Sequence, residues 1–332
     1  MNAECHKDQT LLDAVNLALH HEMKADERVV LLGEDIGKNG GVFRATQGLQ
    51  QAFGHQRVLD TPLAETSIAG AAVGMAAAGL RPVAEIQFMG FIFAAMEHLV
   101  THAARLRNRT RGRLSCPLVV RAPFGGGIHA PEHHSESTEA LFAHIPGLRV
   151  VVPSSPLRAY RLLLAAIRNP DPVIFLEPKR IYRTQKQDLL DDGEELPLDT
   201  CFTLHEGSDI TVITWGACVQ ECARITQTLA EKDIGVELID LATISPIDFK
   251  TIEASVKKTG RCLIVHEAPK NCGVGAEIAA WLAEHSMQFL RAPIRRLAGF
   301  DTIMPYFRNE HHYMITEADV EAAIMNLLQD DF

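Results

Sequence analysis

The sequence predicts an α/β protein of two three-layer domains with mainly parallel sheets. Short apolar, β-branched runs alternate with segments of helical period along the chain, and this alternation is typical of parallel sheets covered by helices. The chain has 332 residues, 47% of them hydrophobic and 22% charged, so it is long enough for two domains with separate cores. No internal repeat or low-complexity segment interrupts the pattern.

The first domain is predicted to span residues 1–185. Its strands are the runs RVVLLGED, RVLD, RPVAEIQF, PLVVR, LRVVV and VIFLE, and its clearest helices are TPLAETSIAGAAVGMAAAGL and SPLRAYRLLLAAIRN. Residues 186–204 are acidic and lack periodicity, which predicts a linker.

The second domain is predicted to span residues 205–332. It begins with the strand DITVIT and a helix around residues 217–231, and it continues with the strands VELID and CLIVHE. A helix after Gly273, the strand IRRLA and a last helix from about residue 317 complete it.

Charge and cysteine usage exclude several classes of protein. The formal net charge is -10, which argues against nucleic acid or an anionic membrane as the main partner. No apolar run reaches the ~18 residues that a membrane span needs. The N-terminal residues have no signal-peptide pattern, and the seven cysteines are scattered without a CxxC pair. These features predict a cytoplasmic protein with free thiols.

A glycine- and histidine-rich stretch, FGGGIHAPEHHSES, spans residues 124–137. Residues His129 to His133 read H-x-x-E-H, a zinc-site pattern that requires both histidines on one helical face. Three glycines precede the pattern and Pro131 interrupts it, so a helix and a zinc site are disfavoured. No Gly-Lys-Ser/Thr follows, which disfavours a nucleotide P-loop. A solvated surface loop remains open, but the stretch follows the strand PLVVR, where parallel sheets place ligand sites.

A glutamate precedes the small-residue helix of the first domain. Glu65 follows a strand and begins a helix in which Gly70 and Gly74 share one face. Close helix packing explains the glycines, and a helix N-terminus favours a carboxylate. Packing alone does not explain a glutamate before so apolar a helix.

Several long motifs together resemble one enzyme family. These motifs are LLGEDIGKNGGVFRATQGLQQAFG, VLDTPLAETSIAGAAVGMAAAGLRPVAEIQF, GGGIHAPEHHSES, IDLATISPID and LIVHEAP. They resemble beta subunits of thiamine diphosphate-dependent 2-oxo acid dehydrogenases, above all the heterotetrameric pyruvate dehydrogenases. The resemblance implies a thiamine diphosphate-binding pyrimidine-type domain followed by a transketolase C-terminal-like domain.

The resemblance implies roles around the cofactor's aminopyrimidine ring. Glu65 matches a glutamate that hydrogen-bonds a ring nitrogen and favours the imino tautomer, which takes the proton from the thiazolium carbon. Phe91 matches an aromatic residue that stacks on the ring, although a place in an apolar helix would otherwise make it a core residue. Leu63 and Gln87 match residues that line the ring.

Two further residues match positions around the active-site channel. His134 matches a histidine at the channel mouth that stabilises active-site loops and assists acyl transfer to a lipoyl group. Glu34 matches an acidic residue on the water-filled path between two cofactor sites. Family members also bind potassium through loop carbonyls, and the matching residues are Leu118, Ala166, Ile167, Asn169 and Asp171.

The chain lacks the Gly-Asp-Gly segment with which such enzymes hold the cofactor's diphosphate and magnesium. The resemblance therefore implies an alpha subunit that supplies this half of the site, in a heterotetramer of two alpha and two beta chains. The implied reaction is oxidative decarboxylation of pyruvate, with acetyl transfer to lipoyl-lysine of a dihydrolipoyl acyltransferase core.

Two alternatives to this function remain open. A branched-chain 2-oxo acid is an alternative substrate, and a non-catalytic assembly subunit is an alternative role. Glu65 argues against the second, because a scaffold has no need for that carboxylate. The acidic end LLQDDF, with Asp330 and Asp331, is a candidate docking site for the acyltransferase core, although a solvated tail is equally consistent with it.

Overall fold

The computed structural model describes residues 4–330. Its first half contains strands β1 (Glu4–Gln9), β2 (Val29–Gly33), β3 (Val58–Asp60), β4 (Arg81–Glu85), β5 (Val119–Phe124), β6 (Arg149–Val151), β7 (Val173–Pro178) and β8 (Gln187–Asp191). The helices of this half are α1 (Leu11–Ala25), α2 (Leu49–Phe53), α3 (Glu65–Ala77), α4 (Leu106–Arg109), α5 (Glu139–Ala143) and α6 (Pro156–Arg168).

The second half of the described chain continues with six strands and five α-helices. The strands are β9 (Phe202–His205), β10 (Ile210–Thr214), β11 (Val236–Asp240), β12 (Thr243–Ser245), β13 (Cys262–Pro269) and β14 (Arg295–Gly299). The helices are α7 (Cys218–Ala230), α8 (Phe249–Thr259), α9 (Val274–His285), α10 (Phe307–Tyr313) and α11 (Glu317–Gln329).

Two mainly parallel sheets organise these elements. The first has the strand order β12-β6-β7-β5-β4-β2-β3 and the second has the order β14-β13-β10-β11-β9. Pairing is parallel except for β12 on β6 and β9 on β11 at the sheet edges. Helices and buried side chains cover both sheets, and the predicted fold class is confirmed.

The region predicted as a linker contains ordered structure. Strand β8 pairs antiparallel with β1, and only Leu189 of this strand is buried, which explains why no period marks it in the sequence. Strand β12, from the second half of the chain, pairs with β6 of the first sheet. The two sheets are therefore tied together, and the predicted boundaries of 1–185, 186–204 and 205–332 stay a prediction.

The carboxyl ends of the central strands of the first sheet meet at one edge. In the parallel register Gly33 lies beside Glu85, and Glu85 lies beside Arg121. The residues that follow β2, β4 and β5 therefore emerge close together, where ligands bind in sheets of this kind. No helix within residues 4–330 is both long and apolar enough to cross a bilayer.

Candidate functional site

The start of α3 brings Glu65 to this edge. The segment before the helix is anchored by Thr61, whose N–H donates to the carbonyl oxygen of Gly33 at 3.0 Å. Glu65 is the first helical residue, as predicted, and it is half-buried. Within residues 4–330 its carboxylate has no hydrogen-bond partner. The helix start is fixed by Thr66, whose hydroxyl donates to the carbonyl oxygen of Ala94 at 2.6 Å.

A second carboxylate lies near Glu65. Glu34 follows β2 directly and is half-buried. Burial raises the pKa of Glu34, and the negative charges of Asp35 and Glu65 raise it further. Glu65 and Glu34, the two acidic residues that the resemblance places at the cofactor and on the water-filled path, are therefore close enough for their charges to interact, although they are 31 positions apart in the sequence.

Phe91 lies on a 3-10 helical turn of mainly apolar residues, Met89–Ala95, and not on an α-helix. The histidine-rich stretch approaches this turn closely. A Cβ atom built on Gly90 would lie 2.1 Å from the carbonyl oxygen of His133. Phe91 is only half-buried, and it packs edge-on against Phe88, with ring centroids 5.8 Å apart.

His134 completes an aromatic cluster over this turn. Its ring lies 4.5 Å from the ring centre of Phe88 and 5.1 Å from that of Phe91, edge-on in both cases. Its Nδ1 atom is buried and has no hydrogen-bond partner in the described structure. An unpaired polar atom at this position is available to a ligand or a partner chain.

The other residues predicted to line the aminopyrimidine ring lie on the same side of the sheet. Gln87 is half-buried and follows β4. Leu63, between β3 and α3, has 73% of its surface exposed. A leucine so exposed beside the free carboxylate of Glu65 provides an apolar surface for a ring.

The histidine-rich stretch is a loop with one 3-10 turn at Glu132–His134. Gly125 and Gly127 adopt φ values of 82° and 84°, which favour glycine. His129 also has a positive φ of 60° and is largely exposed. The two histidines of the H-x-x-E-H pattern therefore share no helix, and residues 4–330 contain no group of three or more His, Cys, Asp or Glu placed to hold a metal ion.

A buried ionic cluster beneath this edge gave no sequence signal. Arg121 donates to both carboxylate oxygens of Glu177, at 2.6 and 3.0 Å, and to Glu85 at 2.8 Å. The hydroxyl of Tyr182 donates to Glu177 at 2.6 Å. Burial raises the pKa of Glu85, while Arg121 opposes that shift. The cluster is almost fully buried and fixes the ends of β4, β5 and β7.

The residues predicted to bind potassium lie at the opposite edge, where β5 and β7 begin and α6 ends: Leu118, Ala166, Ile167, Asn169 and Asp171. Arg81 already donates to the carbonyl oxygen of Ile167 at 2.8 Å, and the carbonyl oxygen of Leu118 accepts from Val173 at 2.9 Å. Arg81 therefore places positive charge beside the Ile167 oxygen. Potassium binding at these residues stays a prediction.

The predicted docking tail is only partly described, because Asp331 and Phe332 lie outside the described residues. The carboxylate of Asp330 pairs with Arg295 at 3.2 Å. One of the two predicted acidic groups therefore already has a cationic partner within the chain.

Comparisons with known proteins agree with the geometry. The family model "Transketolase, pyrimidine binding domain" matches residues 7–185, and "Transketolase, C-terminal domain" matches residues 200–320. A solved structure titled "Split gene transketolase, inactive beta4 tetramer" aligns with a TM-score of 0.79, covering 98% of this chain and 100% of that chain. At 20% sequence identity this likeness shows the fold alone.

Curated relatives share much more sequence with the chain. The pyruvate dehydrogenase E1 component subunit beta of Acholeplasma laidlawii is 51% identical, over 96% of this chain and 97% of the relative. The subunit of the same name from Staphylococcus epidermidis is 45% identical, over 94% and 96%. The 2-oxoisovalerate dehydrogenase subunit beta of Bacillus subtilis is 46% identical, over 96% and 98%. The chain belongs to the pyruvate dehydrogenase E1 beta-subunit family of thiamine diphosphate-dependent enzymes.

Proposed function

We propose that this chain forms one half of a two-chain active site and holds the aminopyrimidine ring of thiamine diphosphate. The reaction is the oxidative decarboxylation of pyruvate, with acetyl transfer to the lipoyl-lysine of a dihydrolipoyl acyltransferase core. The observation that carries the proposal is the carboxylate of Glu65. It begins a helix at the carboxyl edge of a parallel sheet, lies beside Glu34, and has no hydrogen-bond partner within residues 4–330.

The side chains around Glu65 fit an aminopyrimidine ring. Phe91 offers an aromatic face and edge, Leu63 offers exposed apolar surface, and Gln87 offers both a donor and an acceptor. Apolar walls with a few polar groups are what a site for a heteroaromatic ring needs. Glu65 supplies the one charged group of this set.

Thiamine diphosphate, when bound, supplies the nucleophilic carbon and the electron sink that decarboxylation of a 2-oxo acid requires. The carboxyl group of Glu65 would share a proton with a ring nitrogen of the bound cofactor. Glu34, whose pKa is raised by burial and by the charge of Glu65, is suited to exchange that proton. His134, with its free Nδ1, orients and assists the incoming lipoyl group.

The remaining half of the site is assigned to an alpha subunit. Within residues 4–330 no cluster of acidic residues is placed to hold magnesium, and the sequence has no Gly-Asp-Gly segment. Magnesium and the diphosphate are therefore assigned to that partner, in a heterotetramer of two alpha and two beta chains. The potassium ion implied by the resemblance has no role in the proposed reaction. All seven cysteines are free, which favours a reducing compartment such as the cytoplasm.

Replacing Glu65 tests the proposal. In the assembled enzyme, Glu65→Gln is expected to reduce turnover of pyruvate by about 100-fold or more, because an amide accepts a hydrogen bond but cannot hold the transferable proton. Assembly and thermal stability are expected to stay near those of the wild type. Glu97→Gln, at a nearby exposed glutamate, is the matched control. Near-wild-type turnover of the assembled Glu65→Gln enzyme would remove Glu65 from the mechanism.

The relative from Bacillus subtilis keeps a second substrate open, because its name specifies 2-oxoisovalerate. Decarboxylation of pyruvate and of 3-methyl-2-oxobutanoate by the enzyme assembled with its alpha partner separates the two substrates. We expect the higher kcat/KM for pyruvate. A higher value for the branched acid would reassign the substrate, and assembly without any decarboxylation would support a scaffolding role.

A further inference from the structure

The histidine loop, residues 125–137, is bound by two carboxylates from the second half of the chain. The N–H of Gly126 donates to Glu267 at 2.6 Å. Glu310 accepts two further bonds, from the N–H of Gly127 at 2.6 Å and from the N–H of His129 at 2.9 Å. Charged acceptors make hydrogen bonds of this kind roughly twice as strong as neutral ones.

Both carboxylates are buried and accept hydrogen bonds from the loop. Glu267 lies at the end of β13 and is 7% exposed, and Glu310 lies in α10 and is 2% exposed. A buried carboxylate needs such partners, since an unpaired one is strongly destabilising. Glu267 also accepts a bond from the hydroxyl of Ser137 at 3.1 Å, so it joins the two ends of the loop.

A buried lysine supplies the opposite charge. Lys179, which follows β7, is 3% exposed, and its Nζ atom has no hydrogen-bond partner in the described structure. Burial lowers the pKa of Lys179 to about 8, and the charges of Glu267, Glu310 and Glu136 oppose that shift. The lysine therefore stabilises the carboxylates through space, without occupying their oxygen atoms.

The other side of the loop rests on the candidate site. The carbonyl oxygen of His133 lies against Gly90, and the ring of His134 lies against Phe88 and Phe91. The loop is thus held between the aromatic turn, Met89–Ala95, and the two carboxylates from the second half of the chain. A shift at Gly127 or His129 would move His134 away from that turn.

We propose that Glu267 and Glu310 are positioning residues, which hold the histidine loop so that His134 stands over the aromatic turn. The catalytic consequence rests on the role proposed above for His134, whereas the positioning itself does not depend on that role.

Two conservative variants differ in how they should affect the loop. In Glu310→Gln one oxygen becomes an NH₂ group, which cannot accept from the N–H that it faces, so one of the two loop bonds is lost. In Glu267→Gln a single oxygen accepts both bonds and is retained. We therefore expect a larger effect from Glu310→Gln. Glu317→Gln is the matched control, because Glu317 is an exposed glutamate paired with Arg224.

The first measurement is hydrogen–deuterium exchange of peptides covering residues 125–137 in the assembled enzyme. We expect exchange about tenfold faster in Glu310→Gln, a smaller increase in Glu267→Gln, and none in Glu317→Gln, because one charge-assisted bond is worth about that factor. Exchange at the wild-type rate in Glu310→Gln would overturn the positioning role, whatever the function of the enzyme.

The second measurement compares two activities of the same enzymes. Acetylation of a lipoyl domain should fall about tenfold in Glu310→Gln, while decarboxylation with an artificial electron acceptor should fall by a smaller factor. His134→Ala is the reference. Suppose that His134→Ala impairs acetylation, and that Glu310→Gln speeds exchange in the loop but leaves acetylation unchanged. The catalytic part of this inference is then wrong. If His134→Ala itself has no effect, the role proposed for His134 fails, and the exchange data alone decide the positioning.

Discussion

Two buried charged clusters lie beneath the same edge of the first sheet, and they are bonded in different ways. The Arg121 cluster joins Arg121 to Glu85 and Glu177 through direct ion pairs of 2.6–3.0 Å. In the Lys179 cluster, the Nζ atom of Lys179 has no hydrogen-bond partner among residues 4–330, and the carboxylates of Glu267 and Glu310 bind backbone N–H groups.

The difference indicates what each cluster stabilises. Every charged group of the Arg121 cluster has a side-chain partner on a neighbouring strand, so the cluster holds the sheet together. The carboxylates of the Lys179 cluster bind a loop. Their hydrogen bonds therefore stabilise a segment that forms no backbone hydrogen bonds within a sheet. We expect changes in the first cluster to affect global stability, and changes in the second to affect the loop and its dependence on pH.

Arg121→Met is expected to produce the largest effect. Without the guanidinium, the carboxylates of Glu85 and Glu177 remain buried with no cationic partner. Breaking a buried pair from one side is destabilising by about 3–5 kcal/mol. Urea denaturation of the assembled enzyme should show this loss of unfolding free energy, or the variant should fail to accumulate as a folded chain.

Arg107→Met is the matched control for that change. Arg107 pairs with Asp171 at 2.6 Å, but its side chain is 46% exposed, and exposed pairs contribute about 0–1 kcal/mol. Equal losses in the two variants would mean that the buried cluster is no more important to the fold than a surface pair.

Lys179→Met is expected to change how stability depends on pH. The folded lysine releases its proton near pH 8, whereas in the unfolded chain it keeps the proton up to its ordinary value of 10.5. Between these values the unfolded state binds more protons, so this lysine makes the wild type more stable as pH rises. The gain amounts to about 3 kcal/mol, and the variant lacks it.

Urea denaturation at pH 7.5 and at pH 10 checks this expectation. The unfolding free energy of the wild type minus that of Lys179→Met should increase as pH rises. Lys232→Met, at an exposed lysine paired with Glu321, controls for other groups that titrate in this range. Parallel pH dependence of wild type and Lys179→Met would contradict the buried, unpaired state of Lys179.

The two clusters also mark where sequence reasoning succeeds and fails. The start of α3 at Glu65 could be predicted, because helical period and strand ends are local signals. The residues that accept hydrogen bonds from the histidine loop could not be predicted. Glu267 lies 141 positions from Gly126, and Glu310 lies 183 positions from Gly127. Only Glu267 had a signal in the sequence, as the acidic residue at the end of the run CLIVHE, a parallel strand.

Local signals also failed where packing overrides them. The apolar run around Phe91 reads as a helix, and it forms one of the tighter 3-10 type, with Gly90 against the carbonyl oxygen of His133. Strand β8 was missed because Leu189 is its one buried residue, and a single apolar position has no period. Periodicity reports burial along one element, whereas these features depend on contacts with distant parts of the chain.

Tyr182→Phe is expected to cause the smallest loss of unfolding free energy. It tests whether ion pairs alone stabilise the Arg121 cluster. The hydroxyl of Tyr182 donates to Glu177 at 2.6 Å, and phenylalanine keeps the ring but not that bond. Arg121 still binds both oxygens of Glu177, so no charge is left unpaired, and the loss should be about 1–2 kcal/mol. Urea denaturation measures it, with Tyr306→Phe at an exposed tyrosine as the control. A loss as large as that of Arg121→Met would mean that the hydroxyl, rather than the guanidinium, keeps the Glu177 carboxylate stable in the sheet.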